Sequence, residues 1–111
     1  LYHNPSCSKS RAVLILLNKQ KLDIQIIEYL KTPPTKIDLA RILSMLGIGP
    51  RSLMRKKEAE YKTAGLDNPS LDDDALIAAM IRHPILIERP IVVSKNKAVI
   101  GRPPENVLDI V

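Results

Sequence analysis

Tyr2-His3-Asn4-Pro5-Ser6-Cys7-Ser8-Lys9-Ser10-Arg11 is the stretch on which the reading of this chain turns. Leu1-Tyr2-His3 reads as the end of a strand. Asn4-Pro5-Ser6 is turn chemistry, because proline fixes its own φ while Asn and Ser side chains bond to nearby backbone. Ser8 to Asn18 then reads as a helix, with Ala12, Leu14, Ile15 and Leu16 facing inward and Arg11, Asn18 and Lys19 facing water. Cys7 therefore stands where a polar turn feeds a helix. Unbonded N–H groups and the positive end of the helix dipole lie there, and both stabilise a thiolate or hold an oxyanion. A thiol becomes a good nucleophile only when it ionises, so this placement matters. The plain alternative is a buried structural cysteine. The polar residues on both sides argue against it, since they make an exposed loop rather than a core strand. His3, Lys9 and Arg11 are candidates to add positive charge nearby.

Outward from this stretch, Leu22 to Tyr29 is rich in Ile and alternates, which predicts a second strand, and Thr32-Pro33-Pro34 breaks it. Thr35 is an N-cap, with Asp38 three residues later, for a helix to about Leu46, and Gly47 sits where a C-cap glycine belongs. Pro50 to Ala64 reads as short helical pieces carrying Arg51, Arg55, Lys56 and Lys57. Ser70 is the expected cap of a further helix, with Asp72, Asp73 and Asp74 in its first turn, ending at His83-Pro84. Ile91-Val92-Val93 and Ala98-Val99-Ile100 form a hairpin that turns near Asn96, and Glu105 to Val111 begins a final helix, expected to continue past the last residue. The order is β-α-β, helices, β-β-α. A strand–helix–strand start implies a parallel pair and the late hairpin an antiparallel one. The expected fold is α/β and thioredoxin-like: one domain over residues 1–111, a mixed four-stranded sheet flanked by helices, and a helical insertion at about 35–83. Cys7 and Pro90 take the places of that plan's cysteine and its facing cis proline.

Composition narrows the function classes. The chain has 111 residues, enough for one domain. Its longest apolar run, Ala12 to Leu17, falls well short of the ~18 residues that span a bilayer, and no segment has the build of a signal peptide. Leu1 rather than Met opens the chain, so a few residues are expected upstream. The single cysteine excludes an intramolecular disulfide and a Cys-rich zinc site, and it points to a reducing, cytoplasmic setting. The net charge of +5 reads either as a solvated basic surface or as attraction of an anion into a cleft. Nucleic acid is disfavoured, because there is no Phe or Trp to stack bases and the basic residues are spread along the chain.

Several segments together resemble the glutaredoxin-linked arsenate reductase family, and the match runs over essentially the whole chain. They are Tyr2 to Arg11, Glu28 to Thr35, Leu53-Met54-Arg55-Lys56, His83 to Val93 and Ile100-Gly101-Arg102-Pro103-Pro104-Glu105. The Ser-Lys-Ser-Arg and Ile-Gly-Arg-Pro-Pro-Glu wording is similar to a chromosomal branch of that family. The resemblance implies an arsenate reductase. Cys7 attacks arsenic, Arg55, Arg89 and Arg102 bind and polarise the oxyanion, His3 helps hold the thiolate, and Ser10 hydrogen-bonds the sulfur or an arsenate oxygen. Arg11 is a further supporting residue, and Pro90 is cis and walls the site. It implies no bound cofactor and no metal. Glutathione serves as co-substrate and glutaredoxin as partner. Cys7 displaces water from arsenate, glutathione reduces the adduct to an arsenite-level species, and glutaredoxin removes the glutathione. A monomer is expected.

Those residue types suit the chemistry. Arsenate is a tetrahedral oxyanion, and guanidinium groups match its oxygens with bidentate, charge-assisted bonds. Around a thiolate they also stabilise charge on the departing oxygen. With no second cysteine, the next thiol must come from outside. Each arginine has a plainer reading too: Arg55 lies in a basic stretch that reads as solvated by itself. Arg89 and Arg102 each precede a proline beside a strand, which points to one end of the sheet. The runner-up function is a glutathione-dependent thiol reductase of other adducts or mixed disulfides. A third is a non-enzymatic regulator of the same superfamily, although such proteins typically carry Cys-x-x-Cys where Ser10 stands here.

Overall fold

The computed structural model describes residues 1–20, 24–94 and 96–110. The chain divides into two compact units, one of residues 1–32 with 89–111 and the other of residues 33–88. The helical segment expected at about 35–83 lies within the second.

In the first unit, helix α1 spans Ser8–Lys19, and strands β1 (Ile91–Ser94) and β2 (Lys97–Ile100) form an antiparallel hairpin in which Ile91 faces Ile100. A 3-10 helix, Pro104–Asp109, packs on α1. The core gathers Leu1, Val13, Leu17, Val92 and Val107. The inward face of α1 is Ser10, Val13 and Leu17, while Ile15 is exposed. Ala12, Leu14, Ile15 and Leu16 cannot all face inward, because three consecutive helical residues already span some 200° of the helix. Spacings of three and four select Ser10, Val13 and Leu17 instead.

Among the described residues the sheet has two strands rather than the expected four. The first and second expected strands survive as bridges: Tyr2 pairs parallel with Ile27 and antiparallel with Ile91. His3 N–H donates to Ile27 O at 2.8 Å, and Tyr2 N–H donates to Ile91 O at 2.8 Å. The ladder is short because the middle segment bends away at Asn4-Pro5, leaving Ile27 and its neighbours nothing further to pair with. Leu22, at the start of the expected second strand, lies outside the described residues. The last segment is 3-10 rather than α-helical, with Ile110 N–H donating three residues back to Val107 O at 3.3 Å. Val111 lies outside the described residues.

The second unit holds α2 (Lys36–Leu46), α3 (Pro50–Leu53), α4 (Ala59–Thr63), α5 (Asp73–Arg82) and a 3-10 turn, Pro84–Leu86. Thr35 and Asp38 form the reciprocal capping box at the start of α2, and Gly47 ends it at φ 69°, a left-handed conformation that glycine adopts without steric cost. The cap of α5 is Asp72, whose carboxylate accepts from Ala75 N–H at 2.8 Å. Ser70, the expected cap, is instead tied back to Asn68, donating its N–H to Asn68 Oδ1 at 3.0 Å. Helix α5 packs against α2 and α3, burying Leu39, Ile42, Leu43, Leu53, Leu76, Ile77 and Met80. No helix among the described residues is long and apolar enough to cross a membrane.

Gly101 is required by close packing. A Cβ there would lie 2.6 Å from Val13 Cγ2 and 3.0 Å from Pro90 Cγ. Gly101→Ala should therefore destabilise the protein by about 1–3 kcal/mol, the usual penalty for overpacking. Gly49, with nothing within 4 Å of the corresponding position, should tolerate alanine with little change. Urea unfolding midpoints of the two variants check this contrast.

Candidate active site

The extended segment through Tyr2 becomes helix within five residues, and the turn is closed by its own polar groups. Cys7 N–H donates to Asn4 O at 3.0 Å, and Ser6 N–H donates to Asn4 Oδ1 at 3.0 Å. Arg11, one turn into the helix, donates from Nη1 to Pro5 O at 2.8 Å. Cys7 is the N-cap residue, with extended backbone (φ −96°, ψ 124°), and its carbonyl takes the first helical bond from Arg11 N–H at 3.0 Å. The thiol thus lies at the start of α1, 8% exposed.

Burial pushes the Cys7 thiol up, but the opposing contributions win and its pKa falls below the ordinary thiol value. The backbone N–H groups of Ser10 and Lys9 and the Arg89 guanidinium all favour the thiolate. Arg102 adds a weaker contact, with Nη2 3.9 Å from Sγ. The two arginines reach the thiol together because of the hairpin register. Ile91 faces Ile100, Gly101 N–H donates to Pro90 O at 2.9 Å, and Arg102 Nε donates to Arg89 O at 2.8 Å. Arg89–Pro90 and Arg102–Pro103 are both cis peptides, and Pro90 is buried. Asn106 Nδ2 donates to Arg102 O at 3.1 Å, holding the loop from below.

His3 and Ser10 are buried, and His3 Nδ1 lies 2.6 Å from Ser10 Oγ. Ser10 Oγ also accepts from Asn4 N–H at 3.0 Å. Burial holds His3 below the ordinary imidazole range, against the pull of the Glu28 carboxylate, so the ring is neutral near pH 7. It is therefore not the added positive charge anticipated from sequence. Ser10 likewise serves the sulfur through its backbone N–H, while its hydroxyl belongs to His3 and Asn4. Arg11 and Lys9 are exposed, and Arg11 is engaged with Pro5.

Arg55 belongs to the second unit. Its Nη1 lies 2.6 Å from Glu58 Oε1, and its N–H donates to Leu86 O at 2.7 Å. Glu58 escaped the sequence reading, and Asn4 entered it only as a turn residue. Asn4 organises the turn through three separate groups, and Glu58 pairs with Arg55. Asn-Pro-Ser signals a turn, but nothing in the order of residues says which bonds close it.

A thiol of lowered pKa at a helix N-terminus, met by two guanidinium groups, has surroundings that favour negative charge. Residues 2–110 match the ArsC family. The chain is 49% identical over 108 residues to the arsenate reductase of Neisseria meningitidis serogroup A / serotype 4A, covering 96% of this chain and 92% of that protein. It is 50% identical over 112 residues to the Escherichia coli (strain K12) protein YfgD, covering 100% and 94%. A solved structure of an arsenate reductase from Vibrio cholerae superposes with a TM-score of 0.96 at 52% identity, covering 99% and 94%. The chain belongs to the ArsC family.

The depressed His3 pKa has a consequence for stability. The unfolded imidazole titrates near ~6.5, above the folded one, so below that pH the unfolded chain binds more protons. Wild type should therefore lose stability relative to His3→Gln as the pH falls from about 7.5 to about 5.5. Urea unfolding at each pH measures this, and a constant difference would contradict a neutral His3.

Proposed function

We propose that the chain reduces arsenate to arsenite through the Cys7 thiolate, with glutathione and glutaredoxin supplying the electrons. The observation that carries this reading is the meeting of Arg89 and Arg102 at a thiol whose pKa is lowered. A structural cysteine needs neither guanidinium. An oxyanion attacked by sulfur needs both charge neutralisation and a place for the departing oxygen. Arsenate reductase is also the name carried by the Neisseria and Vibrio relatives. The four-stranded thioredoxin-like plan is part of the same reading, with the Tyr2 and Ile27 bridges standing for its two shortest strands.

In the first step the Cys7 sulfur bonds to arsenic and one arsenate oxygen leaves as water. Backbone N–H groups of α1 and the two guanidiniums hold the remaining oxygens. No electrons move to arsenic in this step. Glutathione sulfur then replaces a second oxygen, again as water. Attack by a glutaredoxin thiolate on the glutathione sulfur breaks the sulfur–arsenic bond. Its electron pair stays on arsenic, which passes from As(V) to As(III), and the two attacking sulfurs end as a mixed disulfide. Water finally releases arsenite from Cys7. Regenerating the thiols needs a reducing compartment, which is why the cytoplasm belongs to the reading.

Arsenate-dependent NADPH oxidation, with glutathione, glutaredoxin and glutathione reductase present, tests the proposal. Activity should vanish in Cys7→Ser. It should fall by about 10²-fold or more in Arg89→Ala, the scale of losing one donor to a developing oxyanion. Wild-type rates no higher than the enzyme-free background would refute it and direct attention to glutathionylated substrates.

A further inference from the structure

The loop that carries Arg102 is anchored by the short 3-10 helix that follows it. Val107 of that helix is fully buried in one core with Val13 and Leu17 of α1, the helix that starts at Cys7. The helix opens with Asn106 N–H donating to Pro103 O at 3.1 Å. Asn106, next to the buried valine, is therefore held relative to α1 by main chain and core alike. Its side chain reaches back along the loop, and Nδ2 donates to Arg102 O at 3.1 Å.

Arg102 is exposed, and an exposed arginine ordinarily samples many rotamers. Here its backbone is held on both sides. Its N–H donates to Ile100 O at 2.9 Å and its carbonyl accepts from Asn106, so the two peptide groups that flank its Cα are both tied. Fixing both peptide planes fixes φ and ψ, and with them the direction in which the side chain leaves the backbone. The guanidinium is then tied in turn. Nε donates to Arg89 O at 2.8 Å, and Nη2 stands 3.9 Å from Cys7 Sγ. The tie to Ile100 is made by backbone alone. The tie to Asn106 depends on a side chain, and it can be removed without touching the hairpin, the core or the nucleophile.

We propose that Asn106 is a positioning residue for the reaction: its side-chain amide fixes the main chain of Arg102 and so keeps the guanidinium aimed at the space beside Cys7. This rests on the proposed arsenate reduction for the use made of Arg102, but not for its placement. An apolar side chain of the same size fills the same volume and donates nothing. Without the amide, ψ of Arg102 relaxes and the bond from Nε to Arg89 O is made for a smaller fraction of the time. Donors act on developing charge to the extent that they are already in place, so activity should follow that fraction.

Hydrogen exchange of the Arg102 Nε–H, read by proton–nitrogen NMR on the full chain in mildly acidic buffer, tests the placement without any turnover. Arg102→Lys identifies the signal by removing it. Asn106→Leu keeps the size and loses the donor, and it should speed that exchange by about threefold to tenfold, the scale of one neutral hydrogen bond. Asn106→Gln carries the amide on a longer stem and should recover most of the protection. The main-chain N–H of Arg11, bonded to Cys7 O in the first turn of α1, should keep its wild-type rate in both variants. In the coupled assay, arsenate kcat/KM should fall by a similar factor in Asn106→Leu and return in Asn106→Gln. The inference is overturned by unchanged Nε–H exchange in Asn106→Leu, by an Asn106→Gln no better than Asn106→Leu, or by equal loss of protection at Arg11. Full arsenate kcat/KM despite faster exchange overturns it too. If wild type turns over no arsenate while the exchange contrast holds, the proposed reaction falls and the hold of Asn106 on Arg102 stands.

Discussion

The lowered pKa of Cys7 depends on backbone N–H groups that a helix leaves unbonded at its start, and those groups are useful only if the sulfur is carried to them. The Asn4–Cys7 turn does this. An extended segment held between Ile27 and Ile91 must reverse into α1 within a few residues, and Asn4 makes that possible by accepting from Ser6 and Cys7 and donating to Ser10. The site is thus a by-product of ending one element and starting another. Burial alone would raise the thiol pKa, and oriented amide dipoles and a guanidinium reverse the sign.

The second constraint is the hairpin. Antiparallel pairing makes residues just outside the two strands neighbours, so Arg89 and Arg102, thirteen positions apart in sequence, arrive at the same end. Gly101 lets the return strand lie against Val13 of α1, which ties the arginine pair to the helix that bears the cysteine. This packing adds to the direct approach of Arg89 and Arg102 to Cys7. It also explains why a residue with no chemistry of its own sits beside one of the arginines.

Much of this was legible in the residues. The capping box at Thr35, the Gly47 terminus and the hairpin follow from local chemistry, since each is decided by side chains within a few positions of one another. The repeated Arg-Pro beside each strand already pointed to one end of the sheet. What the sequence misjudged depends on partners far along the chain. The Leu22–Tyr29 strand is cut short by what its neighbour does at Asn4-Pro5, and the buried face of α1 is set by the hairpin and the 3-10 segment. The charge of His3 could not be read from its type either, because burial in the fold decides it. Arg55 looked solvated, and its pairing with Glu58 appears only once the turn is built.

The helix start and Arg89 together lower the pKa of Cys7. Titrating the ultraviolet absorbance of the thiolate, in wild type and in Arg89→Ala, tests it most directly. The wild-type midpoint should lie below that of an ordinary thiol and move upward when the guanidinium is removed. A midpoint at or above that value in wild type, or one that Arg89→Ala leaves in place, would contradict the claim.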